Sequence, residues 1–302
     1  MAKMLSVKFG ALNITVHPHD KDGQIYLDLF NYLYKVREPL QVRGNDYIYL
    51  SALKPLNDDK PLEGLQGTFT KLTGIEVSEW FDTTTDKLAE QDIVENVNIP
   101  SHLFPNAKFF NFIFFPKKHI LISEIYDNKG TVSIGTLAKF FEKLFYRQDI
   151  REKFTTATVH VLPDMGKVEE IIRMGTLVTL ELEIYRPNAD DVEEVETSFL
   201  EKLERLNAEK LEEKYETQRK GFLTLDEETK NKMRVAAKNG KVYAKAIDEQ
   251  GLVKPHSTEN IPFVEQDKYD PKTTDKLDFL KRKALEIYAR FTPSKGKFKG
   301  DN

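Results

Sequence analysis

The sequence predicts a mixed α/β (α+β) fold in two domains, a mixed β-sheet with packed helices followed by a smaller basic α+β region. Three observations lead there. Segments with strand and helix periodicity alternate as far as about residue 187. Arg186-Pro187-Asn188 then ends the run, because the residue before a proline is pushed into extended backbone. Beyond it the local charge is first acidic and then basic. The expected division is an α/β domain over residues 1–187, then an acidic connecting helix and a basic α+β region over 188–302.

In chain order, strands are expected over Leu12–Val16, Asp46–Leu53, Phe109–Phe115, His119–Ile125, Thr155–Leu162 and Leu177–Tyr185, where the pattern is apolar on alternate or on all positions. Helices are expected over Ile25–Val36, with Leu29, Leu33 and Val36 on one side, and over Ile134–Tyr146, with Leu137, Phe140, Phe141, Leu144 and Phe145. Pro116-Lys117-Lys118 separates two apolar strands and reads as a hairpin turn.

Composition limits the function classes. A hydrophobic fraction of 40% with 20 Phe and 12 Tyr supplies real cores and excludes wholesale disorder. No Cys is present, which excludes disulfides, thiolate zinc sites and a cysteine nucleophile, and suits a reducing compartment. The first residues lack an apolar core of signal-peptide length, and no uninterrupted apolar stretch approaches the roughly 20 residues of a membrane helix. A cytoplasmic location is expected. The net charge of −4 gives no overall attraction to nucleic acid, so the local distribution decides.

From Asp190 to Glu216 there are 11 acidic and 4 basic residues, with Val192, Val195, Phe199, Leu203 and Leu206 at helical spacing. One long acidic helix is expected there. Thr217–Lys254 holds 9 basic and 5 acidic residues, and Lys276–Lys299 holds 8 and 2. Asn239-Gly240 is a strong signal for a two-residue hairpin turn. Pairing Lys238 with Lys241 and Arg234 with Lys245 then places Arg234, Lys238, Lys241, Tyr243 and Lys245 on one face, with Val242, Ala244 and Ala246 on the other. Like charges facing one another call for an anion, and nucleic-acid phosphate is the natural one. A solvated outer face is the plain alternative. In the last helix Leu277, Leu280, Ala284, Ile287 and Phe291 form an apolar stripe, leaving Lys281, Arg282, Lys283 and Arg290, and then the tail lysines 295, 297 and 299, to extend a phosphate-binding track.

Other constellations are weaker. His17 and His19 flank Pro18 with no third ligand in reach by spacing, and Asp20-Lys21-Asp22-Gly23 opens like a calcium loop but has Asn31 where a bidentate Glu belongs. No metal or other cofactor is expected. Asp164, Glu181 and Glu183 are the carboxylates a nuclease would need, yet no Lys stands at the usual two-residue spacing, and Glu212-Glu213-Lys214 has that spacing inside the acidic segment. Phosphate-cradling loops and a nucleophile elbow are absent. The run Phe109–Phe115 reads as a strand buried on both faces, not as a base-stacking platform, and Trp80 reads as packing.

Several stretches occur in an order that resembles the RexA-like phage-exclusion proteins of lambda-like prophages: Leu27-Asp28-Leu29-Phe30, Leu40-Gln41-Val42, Tyr47-Ile48-Tyr49-Leu50, Ile99-Pro100-Ser101-His102-Leu103-Phe104, Val178–Pro187 and Val242–Gly251. The resemblance spans most of the chain and is carried by short apolar and turn patterns. It implies a homodimer that binds double-stranded DNA without sequence specificity and reports to a membrane channel resembling RexB. The expectation is therefore a non-enzymatic binder of duplex DNA with no small-molecule substrate, the acidic helix shielding the basic segments. A metal-dependent nuclease and a protein-interaction module acting through the acidic helix are the alternatives.

Overall fold

The computed structural model describes residues 4–17, 23–75, 80–97, 99–186, 194–218 and 221–291. Its centre is β7 (Lys108–Phe115), whose Phe110, Phe112 and Phe114 point to one face while Ile113 and Phe115 point to the other, all five buried. A strand apolar on both sides has to be covered on both sides, so it lies inside the sheet. Its neighbours are β4 (Leu65–Thr73) and β8 (Ile120–Asp127), and the sheet runs outward through β3 (Asp46–Pro55) to β2 (Leu40–Arg43) and through β1 (Leu5–His17) to β10 (Thr156–Val161). β9 (Gly130–Thr131) adds to β8, and β15 (Glu265–Tyr269) pairs with the first half of β1. Every strand ladder among the described residues is antiparallel, which corrects the expected mixed sheet. The turn at Pro116–Lys118 joins β7 to β8 as the sequence predicts.

Helices α1 (Gln24–Lys35) and α3 (Ile134–Phe145) close the first face. α3 is started by Ser133, whose Oγ accepts from the Thr136 N–H at 3.0 Å. Phe30 of α1 stacks on Phe114 at 4.3 Å and Phe69 of β4 on Phe112 at 4.4 Å, so aromatic rings knit helix to sheet and strand to strand. Phe112 lies over Gly67 of the adjacent strand, where a Cβ would come within 2.4 Å of the ring. Truncating one of these buried rings to Ala costs about 3–5 kcal/mol. Helix α4 (Gln148–Phe154) leads from α3 to β10, and the excursion between β4 and β7 carries the short hairpin β5 (Phe81–Asp82) and β6 (Lys87–Leu88) with helix α2 (Gln91–Glu95).

The opposite face is covered by α8 (Lys276–Phe291), which buries Phe279, Leu280, Ala284 and Ile287 against Phe9, Ile113 and Ile122. Its first residue, Lys276, is 3.0 Å from both Glu124 and Asp127 of β8.

A second sheet has the order β12 (Lys210–Glu216), β11 (Leu177–Tyr185), β13 (Gly240–Ile247), β14 (Val253–Ser257). Helices α5 (Met165–Ile172), α6 (Glu194–Arg205) and α7 (Glu227–Asn239) contribute Val168, Ile171, Phe199, Met233 and Ala236 to a core with Leu180, Leu182, Ile184, Val242, Ala244 and Ala246. The expected boundary after residue 187 does not follow the sheets. β11, read with the first half, is a central strand of the second sheet, whereas β15 and α8, read with the second half, belong to the first.

Candidate nucleic-acid interface

The helices of the second sheet share one face, and strand alternation leaves Thr179, Glu181, Glu183 and Tyr185 of β11 and Lys241, Tyr243 and Lys245 of β13 on the other. β12 adds Lys210, Glu212, Lys214 and Glu216 to that outer face. Register then interleaves the charges. Lys214 lies opposite Glu181 and 3.3 Å from it, Lys210 is 3.9 Å from Glu183, and Glu183 also faces Lys241, which itself pairs with Glu259 at 2.6 Å. Hydrogen bonds to Glu216 and Glu181 hold the Lys214 ammonium above its usual pKa, and Lys214 in turn lowers Glu216. The Lys245 ammonium sits 5.9 Å over the Tyr243 ring. Exposed ion pairs of this kind contribute only about 0–1 kcal/mol each, so an incoming phosphate competes with the carboxylates at small cost.

The expected hairpin is not formed. Arg234 and Lys238 lie on α7, whose start is set by Asp226 Oδ1 accepting from the Thr229 N–H at 2.7 Å and whose residues are mostly good helix formers. Asn239-Gly240 is the junction from α7 into β13. Glycine is needed there because a Cβ at 240 would lie 2.0 Å from the Glu183 carbonyl oxygen. Arg234 is held by Glu169 at 2.6 and 3.0 Å, and the Lys238 carbonyl accepts from Asn13 Nδ2 at 3.2 Å. On α8, Lys283 is buried and bonded to Asp267 at 2.9 Å and Glu286 at 2.7 Å, Arg282 pairs with Glu286 at 2.8 Å, and Arg290 is bidentate on Glu265. Lys281 is half-buried. Of the nine residues proposed from sequence, Lys241, Tyr243 and Lys245 lie on the outer face of the second sheet. The tail lysines, His19, Asp20 and Asp22 lie outside the described residues.

The acidic segment is also not one helix. Asn207 takes a left-handed conformation (φ 50°) just beyond α6, and the Ala208 N–H closes back on the Leu203 carbonyl at 2.9 Å. The chain then becomes β12, with Leu211, Glu213 and Tyr215 turned inward. Glu213 meets Lys232 of α7 at 3.2 Å, on the opposite side of the sheet from Lys241. This geometry removes the shielding helix: the carboxylates beside the lysines come from neighbouring strands and, at Glu259, from the turn after β14. Asp164 serves as the cap of α5, accepting from the Gly166 N–H at 2.9 Å, while Glu181 and Glu183 are the ion-pair partners described above. His17 Nε2 is 3.0 Å from the Arg186 carbonyl. Among the described residues, no group of three or more His, Asp or Glu is arranged to hold a metal ion.

Sequence reasoning missed Lys210, Lys214 and Tyr185 on the outer face. The period-2 pattern of KLEEKYE was the available signal, hidden by apolar spacing that also suited a helix. It missed His160 too, whose ring packs 4.8 Å from that of Tyr185 and whose Nε2 is buried without a hydrogen-bond partner. Burial pushes the His160 pKa down to about 4, so the ring is neutral near pH 7, and burial followed by the hydrogen bond to Glu183 pushes Tyr185 up to about 12.

Among the described residues no helix is long and apolar enough to cross a membrane. No curated protein matches the chain. Residues 5–285 match a known family over nearly the whole length described, and the chain belongs to that family, described as a domain of unknown function (DUF4747).

Proposed function

We propose that the protein binds double-stranded DNA without sequence specificity and without catalysing a reaction, using the outer face of the second sheet. One observation carries this reading: α5, α6 and α7 all pack behind that sheet, which leaves Lys241, Tyr243 and Lys245 of β13 on its outer face, with Lys210 and Lys214 of β12 beyond the Glu181 and Glu183 column of β11. Lysine contacts to phosphate position a backbone without reading bases. In the setting suggested by the resemblance to RexA-like exclusion proteins, a dimer engages phage DNA and signals to a membrane channel.

The test is fluorescence anisotropy with a duplex and a single strand of equal length across a range of salt. Duplex binding should weaken with salt at a slope of about −0.9 for each phosphate contact, and K241Q/K245Q should flatten the slope by roughly two contacts. Preference for the single strand would replace this reading with stacking on Tyr243 and Tyr185. Absence of binding at low salt, or an unchanged slope in the folded double variant, overturns it.

A further inference from the structure

We propose that the cleft along the outer edge of β10 receives an extended, basic peptide segment of a partner protein as an added β-strand. The inference does not rest on the nucleic-acid reading. β10 is an edge strand. In its ladder with β1, His160 faces Asn13 and Thr158 faces Thr15, and one step beyond, the Leu162 N–H donates to the Ala11 carbonyl at 3.0 Å. That bond sets the phase: even-numbered residues turn their backbone groups to β1, while Ala157 and Val159 turn theirs outward. Among the described residues no other strand pairs with this part of the edge, since the segment around Pro262 and Phe263 covers only the end near Leu162.

An unpaired edge is ordinarily blunted by charge, proline or a covering element. Here it forms the floor of a cleft of about 650 Å³ that Thr156 through His160 line without interruption. One wall is the end of α3 with α4, the other is the outer face of the second sheet at Tyr185 with the turn after β14 at Glu259. The walls are what select the occupant. An extended chain laid along this floor would complete the ladder, whereas a second copy would bring the same acidic lining against this one. The charge selects further: the lining holds Glu142, Glu183, Glu209 and Glu259 against Arg151 and Lys241, acidic by two, which favours a basic segment. Strand addition takes its affinity from main-chain hydrogen bonds and its specificity from alternate side chains. Tyr146, largely exposed at the mouth, and the His160–Tyr185 ring pair stand ready for those side chains.

The probe is a fluorescein-labelled, end-capped octapeptide of alternating Lys and Val, compared with its Glu-Val counterpart and with a Lys-Val analogue N-methylated throughout, which keeps the charge but has no amide donors. The full-length protein should bind the Lys-Val peptide at least tenfold more tightly than either comparison peptide, and hydrogen exchange should slow at the amides of Ala157 and Val159. V159P, which removes one outward donor at a position where an edge strand tolerates proline, should lose binding. The N-methylated peptide provides an independent reading on unaltered protein, which a folding defect in that variant does not touch. Equal binding of the methylated peptide, no binding of the Lys-Val peptide, or protection confined to other amides overturns the proposal. So does a dimer of the free protein in which the Ala157 and Val159 amides are already protected, which assigns the edge to a second copy.

Discussion

Asn13 of β1 donates through Nδ2 to Asn239 Oδ1 at 3.2 Å and to the Lys238 carbonyl at 3.2 Å, so one buried amide of the first sheet holds the end of α7 in the second. Asn239 Nδ2 is bonded back to the Val235 carbonyl at 3.4 Å, which fixes the side chain that Asn13 meets. The two sheets are thus joined by a polar contact whose partners are 226 residues apart.

That contact should register as coupling between the two sites. N13A and N239A are each expected to destabilise the protein by about 1–2 kcal/mol, because each leaves a buried polar group without its partner. In the double variant the effects should fall short of additive by about 0.5–1 kcal/mol, measured by urea unfolding in a double-mutant cycle. Additive losses would mean that the contact carries no stability of its own.

The attachment of α8 to the first sheet is a buried pair. Glu124 is fully buried, and its Oε2 accepts from the Asn111 N–H at 2.9 Å while meeting Lys276 at 3.0 Å. K276M strands the carboxylate and should cost about 3 kcal/mol or more, whereas the K276M/E124Q pair should recover most of that loss. Burial raises the Glu124 pKa despite Lys276. A carboxyl whose folded-state pKa is raised binds its proton more readily folded than unfolded, so its ionisation costs stability as pH rises. The urea midpoint of K276M relative to the unaltered protein should therefore improve on going from neutral to mildly acidic pH.

His160 contributes a pH dependence of the opposite sense. Its folded-state pKa of about 4 lies below the ordinary 6.5. Between those values the unfolded chain takes up a proton that the folded ring refuses, so stability is full above 6.5 and is lost as pH falls toward 4. The upper bound is about 3 kcal/mol, from 1.36 kcal/mol for each pKa unit, and the partly accessible edge of the ring reduces it. H160Q removes the titration. The difference in unfolding free energy between the unaltered protein and H160Q should narrow steadily over that window and stay flat above pH 7.

Much of the fold was legible locally. Leu177–Tyr185 forms the strand over the residues expected, and the helices and strands around Phe30, Phe112 and Phe141 fall where the apolar spacing put them, because burying one face of a helix or strand imposes a period that a short window records. The error over Arg234–Lys245 came from a signal with two meanings. Asn-Gly turns a hairpin, but it also ends a helix where the next strand must approach closely, and the Asp226 cap that distinguishes the two lies 13 residues upstream of Asn239.

The sequence alone therefore determined the mixed α+β class, the aromatic core and the alternation that leaves Lys241, Tyr243 and Lys245 on one face. Tertiary structure decided which cations are neutralised, that β11 belongs to the second sheet and α8 to the first, and that β10 is an edge beside a cleft. Periodicity is written into neighbouring residues. Ion pairing and strand order depend on contacts between separate elements, as where α8 brings Lys283 to Asp267 of β15 and α7 brings Arg234 to Glu169 of α5.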